Sequence, residues 1–212
     1  MRIYGLQKLT LLDYPGKIAA TVFTSGCNMR CPFCHNADLV LGNIDEYPMD
    51  KLLSFFQARK SMLEGICITG GEPLINSDIR NFILTLKDMG YSVKLDTNGS
   101  LPDRLAEVID SVDYVAIDIK NSPSKYPYTI GLERFDIAPL KRSIELVMNK
   151  AKDYEFRTTV IKGLHTIEDI ESCASLIKGA KKYYLQKFID SGKLLSNNSF
   201  SACRNSSEIF IF

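Results

Sequence analysis

Residues 18–36 read IAATVFTSGCNMRCPFCHN. Positions 18–24 are apolar or β-branched almost throughout, the composition of a strand covered on both faces, as in a parallel sheet. The next positions place Cys27, Cys31 and Cys34 at i, i+4 and i+7, which one helical face could share. Pro32 opposes that helix at a cost of about 3 kcal/mol, and Gly26 and Asn28 also favour irregular chain. The stretch therefore predicts a strand that delivers a loop wrapping three thiols around a common centre. Such loops gather at one end of a parallel α/β sheet, where ligands bind.

Outward from this segment the same unit repeats. Short β-rich runs fall at 65–69, 92–96, 114–120, 155–161 and 183–188. Helical spacing fills 49–60, 77–89, 102–110, 140–152 and 166–177, with Ser77 and Thr166 as expected N-caps and Glu168 and Asp169 adding negative charge to a first turn. The fold class is α/β. Right-handed crossovers between parallel strands form either an open doubly wound sheet or a barrel, and six units are too few for the full eight-unit barrel. Residues 121–139, with Pro123, Pro127 and Pro139, read as a long connection placed near a substrate. Residues 189–212 form a Ser/Asn-rich tail ending in the apolar run 209–212, a possible closing strand.

Composition narrows the function. The chain has 212 residues, 45% hydrophobic and 24% charged, which fits one soluble domain and excludes a disordered or collagen-like chain. Folding can bury about 70% of the extended surface, so the core needs no staples. Lys plus Arg number 26 against 25 Asp plus Glu, a net charge of +1 that supplies neither a field for nucleic acid nor a polybasic membrane anchor. No run approaches the roughly 18 apolar residues of a membrane helix, and residues 1–17 lack the apolar stretch of a signal peptide, so a cytoplasmic location is expected. Reduced thiol pools there disfavour disulfides, and three of the six cysteines crowd into residues 27–34, which points to metal or redox chemistry. Cys67, Cys173 and Cys203 read as ordinary thiols.

The other strand ends carry unusual residues too. Gly70, Gly71, Glu72 and Pro73 end the second run: two residues without Cβ let a ligand approach the main chain, and Pro73 stops the sheet ladder. Asp96, Thr97, Asn98 and Gly99 end the third, and Asn-Gly is also a plain turn signal. Asp118 and Lys120 lie on one face of the fourth, where a simple ion pair would also account for them. Arg157 interrupts the fifth, and a charge in a buried strand needs a partner, here an expected anionic group of a ligand.

A zinc centre from Cys27, Cys31, Cys34 and His35 is one reading of the loop, although structural zinc usually draws ligands as two separated pairs. A four-iron, four-sulfur cluster is the other; three thiolates leave one iron without a protein ligand and free to bind substrate. The Cys-x3-Cys-x2-Cys spacing with Phe33 before the last cysteine resembles the cluster loop of radical S-adenosylmethionine (SAM) enzymes. That resemblance implies a partial (βα)6 barrel open on one side, one core domain over residues 1–212 with 1–17 as an N-terminal extension, one [4Fe-4S] cluster on Cys27, Cys31 and Cys34, and SAM as cosubstrate. It also implies that Phe33 and the Cys34 to His35 backbone contact the adenine, that Gly70, Gly71 and Glu72 present main-chain oxygens to the methionine ammonium, and that Asp96, Thr97, Asp118 and Lys120 lie near the SAM carboxylate or a cation.

Residues 3–188, with GLQKLTLLDYPGKIAATVFTSGCNMRCPFCHN, DTNG and DIK, are similar to glycyl-radical-enzyme activases, above all those of anaerobic ribonucleoside-triphosphate reductase. The implied activity is hydrogen abstraction from a glycine Cα in a partner enzyme, with flavodoxin or ferredoxin as electron donor. A histidine that some relatives bring to SAM near the sixth strand is missing, where Gln186 and Phe188 stand. Too few cysteines remain for an inserted two-cluster domain. A radical SAM enzyme acting on a small molecule or peptide, and a zinc-stabilised binding module, are the alternative classes.

Overall fold

A computed structural model describes residues 1–42, 44–189 and 194–195. The expected strand at 209–212 and Cys203 lie outside the described residues. All six expected strands are present: β2 (Ala19–Thr24), β3 (Gly65–Gly70), β4 (Ser92–Thr97), β5 (Tyr114–Asp118), β6 (Tyr154–Val160) and β7 (Tyr183–Lys187). A further strand, β1 (Ile3–Thr10), occupies the segment expected as an extension. It pairs antiparallel with β2 and has two breaks in register, which is why its sequence shows no clean alternation.

The seven strands form one sheet in sequential order, parallel from β2 to β7. A doubly wound sheet reverses its strand order; this one does not, so right-handed crossovers lay the helices on one face and the sheet follows the arc of a barrel. The two faces differ accordingly. Ile66, Ile68, Val93, Leu95, Val115, Ile117 and Phe156 are fully buried in the main core. The alternate positions, in register across the strands, are Thr21, Cys67, Lys94, Asp96, Asp118, Glu155 and Arg157. These line the concave side.

Among the described residues the α-helices are α1 (Ala37–Leu41), α2 (Met49–Arg59), α3 (Ile79–Asp88), α4 (Pro102–Ala106), α5 (Tyr126–Thr129), α6 (Ala138–Lys150) and α7 (Ile167–Leu176). In α3 the buried Ile79, Phe82, Ile83 and Leu86 repeat at i, i+3, i+4 and i+7, one apolar stripe. That helix begins after Asp78 rather than Ser77. Thr166 caps α7 as expected: its Oγ1 accepts the Asp169 N–H, while the Asp169 carboxylate accepts the Thr166 N–H. Within residues 121–139 the short helix α5 replaces part of the expected connection, with Tyr126 fully buried.

The N-terminal end of the parallel strands is plugged. Tyr14 is 2% exposed and packs beside Tyr114, ring centroids 6.0 Å apart. A Cβ at Gly65 would sit 2.9 Å from the Tyr14 ring, so only glycine lets this plug seat. Access to the concave face is therefore from the opposite end, where the cysteine loop lies.

Candidate active site

The cysteine loop is shaped by its own main chain and by its neighbours. Gly26 turns out of β2 at φ 79° and donates its N–H to Leu39 O at 2.9 Å, and a Cys34 to Cys31 bond of 3.0 Å closes the turn around Pro32. Gly70 and Gly71 press against this turn. A Cβ on Gly70 would lie 2.4 Å from Thr24 backbone atoms, and one on Gly71 would lie 1.8 Å from Gly26 O. Two bonds stitch the contact, Gly71 N to Thr24 O at 3.0 Å and Glu72 N to Gly26 O at 2.8 Å. The glycines are required here by close packing of backbone on backbone.

The two loops enclose a cavity of about 210 Å³ at the C-terminal end of the strands. Cys27, Cys31, Phe33, Cys34, His35, Gly70, Gly71, Asp96, Thr97, Asp118 and Lys120 all line it. Eleven of the thirteen residues singled out from the sequence thus meet at one place. Glu72 and Arg157 are not among the lining residues.

Glu72 is fully buried and works as a strut. Its carboxylate accepts the Leu74 N–H at 3.1 Å, the Thr97 hydroxyl at 2.8 Å and the Asn98 N–H at 2.7 Å, locking the end of β3 to the end of β4. Burial pushes its pKa up to about 7 even though all three donors favour the charge. Arg157 bridges carboxylates beside the cavity: Nε lies 2.9 Å from Asp118 Oδ1, and both terminal nitrogens lie 3.2 Å from Asp96 Oδ2. A ligand's anionic group was expected opposite Arg157; the partners found are instead carboxylates of the protein's own strands.

Two charged neighbours escaped the sequence reading. Lys94 Nζ, 1% exposed, sits 2.8 Å from Asp96 Oδ1 and 3.5 Å from Glu155 Oε1. The signal was available, since Lys94-x-Asp96, Asp118-x-Lys120 and Glu155-x-Arg157 each place opposite charges on one strand face. Burial alone would raise the Asp118 pKa, but Arg157 and Lys120 hold its carboxyl below the usual range. Burial alone would lower the Lys120 pKa, and Asp118, 3.0 Å away, holds it higher. Lys120 is therefore a cation at the cavity wall at any physiological pH.

Asn98 and Asn28 also went unread as site residues. Asn98 Nδ2 donates to Asn28 Oδ1 at 2.9 Å, and Asn28 Nδ2 donates to Ser100 Oγ at 2.8 Å, tying the cysteine loop to the turn after β4. On the other flank Phe188 stacks on the His35 ring at 5.0 Å and meets Phe33 edge-on at 6.4 Å. Phe188 is one of the two residues that stand near the sixth strand in a chain lacking the histidine of some relatives.

Burial raises the thiol pKa of Cys27, and that of Cys31 to about 11. With nothing bound, Cys27 and Cys31 stay protonated; a bound cationic group would displace those two protons. Among the described residues no three His, Cys, Asp or Glu side chains converge on a point where one ion would sit. Tetrahedral zinc needs every ligand about 2.0–2.3 Å from one centre. Three thiols lining one cavity are a donor set that an iron–sulfur cluster takes.

Residues 21–177 match the radical SAM superfamily. The chain belongs to that superfamily. It is a radical SAM enzyme related to glycyl-radical-enzyme activating enzymes. It is 33% identical over 193 residues to a Methanocaldococcus jannaschii protein provisionally named a glycyl-radical enzyme activating enzyme, covering 88% of this chain and 79% of that one. The pyruvate formate-lyase-activating enzyme of Clostridium pasteurianum is 33% identical over 126 residues; this radical SAM chain spans about half of it, 52%, with 57% of its own length. The 7-carboxy-7-deazaguanine synthase of Thermoplasma acidophilum is 28% identical over 144 residues, 68% of this chain and 66% of that one. Streptococcus suis SuiB bound to S-adenosylmethionine superposes with a TM-score of 0.61 at 17% identity, over 83% of this chain and 42% of SuiB. That likeness shows the fold. No helix among the described residues is long and apolar enough to cross a membrane.

Proposed function

We propose that this radical SAM chain activates a glycyl radical enzyme: a hydrogen atom leaves the Cα of a glycine in the partner, and a stored radical remains there. The partner is anaerobic ribonucleoside-triphosphate reductase. The observation that carries this reading is that three thiols and the double-glycine bend line one cavity. The relationship to activating enzymes favours a protein substrate. Cys27, Cys31 and Cys34 would hold one [4Fe-4S] cluster and leave one iron open to the amino and carboxylate groups of SAM. When bound, with flavodoxin or ferredoxin as electron donor, the group would supply the one-electron reduction that cleaves a carbon–sulfur bond of the SAM sulfonium to methionine and a 5'-deoxyadenosyl radical.

The protein's own part is binding, orientation and exclusion of water. The Gly70 and Gly71 main chain offers close approach to an ammonium. Lys120 offers a fixed cation to a carboxylate, with Asp96, Thr97 and Asp118 beside it. Phe33 and the Cys34 to His35 backbone offer a flat, apolar seat for a base.

Anaerobic purification tests the cluster. A brown protein with about four iron and four sulfide, lost in Cys31→Ala, is expected; stoichiometric zinc would reject the reading. Incubating the reduced protein with SAM and the reductase is then expected to give a glycyl radical signal by electron paramagnetic resonance. The similarity to a deazaguanine synthase favours a second reading, a small-molecule substrate. SAM cleavage with no radical on the reductase or on any other glycyl radical enzyme would select it.

A further inference from the structure

One segment, residues 121–131, holds the main chain on both sides of the cavity. On the cysteine side, Ile130 O accepts the Arg30 N–H at 2.8 Å, one residue before Cys31. Gly131, at φ 69°, lies so close that a Cβ there would be 2.1 Å from Arg30 O. On the lysine side, the Tyr126 hydroxyl accepts the Lys120 N–H at 3.3 Å. The Tyr126 ring is fully buried and stacked on Phe135, with centroids 4.9 Å apart and planes 16° apart. His165 grips the same residue from beyond β6. Its Nδ1 accepts the Ile161 N–H at 3.0 Å, so the ring proton sits on Nε2 and is donated to Lys120 O at 2.9 Å.

The segment is itself anchored. Ser122 Oγ donates to Asp169 Oδ1 at 2.7 Å, and Lys125 Nζ lies 2.6 Å from Asp169 Oδ2. Asp169 also belongs to the capping box of α7, so the anchor is a helix end rather than a mobile loop. Residues 121–131, part of the connection expected near a substrate, brace the Arg30 and Lys120 main chain beside the cavity. A side chain as long as lysine reaches a ligand at a reproducible point only if its Cα is fixed.

We propose that Tyr126 is a positioning residue: through the 121–131 buttress it sets the Lys120 main chain at a fixed distance from the cysteine loop, so that a ligand spanning the cluster and Lys120 meets both at once. The proposal rests on the reading that the cavity takes SAM. Tyr126→Phe keeps the stacked ring and removes only the acceptor. In cluster-loaded protein the substitution is expected to weaken SAM binding by about fivefold to tenfold, the size of one lost hydrogen bond, with iron and sulfide content unchanged.

In a Lys120→Met background the same substitution is expected to change SAM affinity less than about twofold, because coupled residues are not additive. Equal losses in both backgrounds would overturn the proposal, since a general structural defect acts regardless of Lys120. Hydrogen exchange supplies a readout independent of SAM. In the purified chain the peptide over residues 117–122 should lose protection in Tyr126→Phe, while the peptide containing Arg30 keeps it. If the wild type fails to bind SAM but this exchange pattern holds, the cofactor reading fails and the buttress stands; unchanged protection at 117–122 sinks the buttress whatever SAM does.

Discussion

At the scale of single residues, the site is decided as much by missing atoms as by functional groups. Gly71→Ala places a methyl 1.8 Å from Gly26 O, where no side chain can move aside because both partners are main chain. The β3 end and the cysteine loop must then separate. We expect Gly71→Ala to keep its far-ultraviolet circular dichroism yet to retain less than about a tenth of the wild-type iron after anaerobic reconstitution, a loss typical of misplaced ligand geometry; full iron uptake would show that the bend is dispensable. The cysteines, the glycine pair and the Asp96, Thr97, Asp118 and Lys120 positions were legible because each departs from its strand's composition at the strand's end. The role of the Glu72 carboxylate was not. Its three donors come from Leu74, Thr97 and Asn98, two of them across a crossover, and no local pattern announces such a convergence.

At the scale of elements, strands and helices read well where one period dominated. The six strands from β2 to β7 were legible because each is a short run rich in β-branched, aromatic and other apolar residues, most of them ending in small or polar ones. β1 was not, because an irregular antiparallel edge with half-exposed residues resembles a loop. α5 was hidden by Pro127 at its start and by its four-residue length. The junction between α7 and the 121–131 segment has a titration of its own. Asp169 is held below the usual carboxylate range against the effect of burial, by Lys125, Thr166 and Ser122. A depressed pKa in the folded state means that its contribution to stability is complete above the unfolded value, about 3.9, and is lost as the pH falls through the folded value. Asp169→Asn should lower stability at pH 7 by about 1–3 kcal/mol, as expected when charge-assisted bonds are lost, and should flatten the acid limb of the denaturation midpoint plotted against pH. An acid limb as steep as the wild type's would show that other carboxylates control it.

At the scale of the molecule, the two faces of the sheet divide the labour. The helix-covered face is an apolar core, and the concave face carries alternating charges from Lys94 to Arg157 that hold the site's acids in place. The plug at the far end supports both. Tyr14→Ala removes a buried ring packed at a tilt beside Tyr114 and should cost about 3–5 kcal/mol, as large-to-small aromatic truncations in cores do. Urea denaturation checks it, and a loss under 1 kcal/mol would show that the plug is not part of the cooperative unit. The arc from β1 to β7 has a further consequence. Among the described residues each of these two strands pairs on one side only, so the wall is a slot rather than a ring. A ring would demand that a polymer enter by its end or as a tight hairpin, whereas a slot accepts a strand laid in sideways from the middle of a chain. Such a slot admits an internal stretch of chain and releases it again without unthreading.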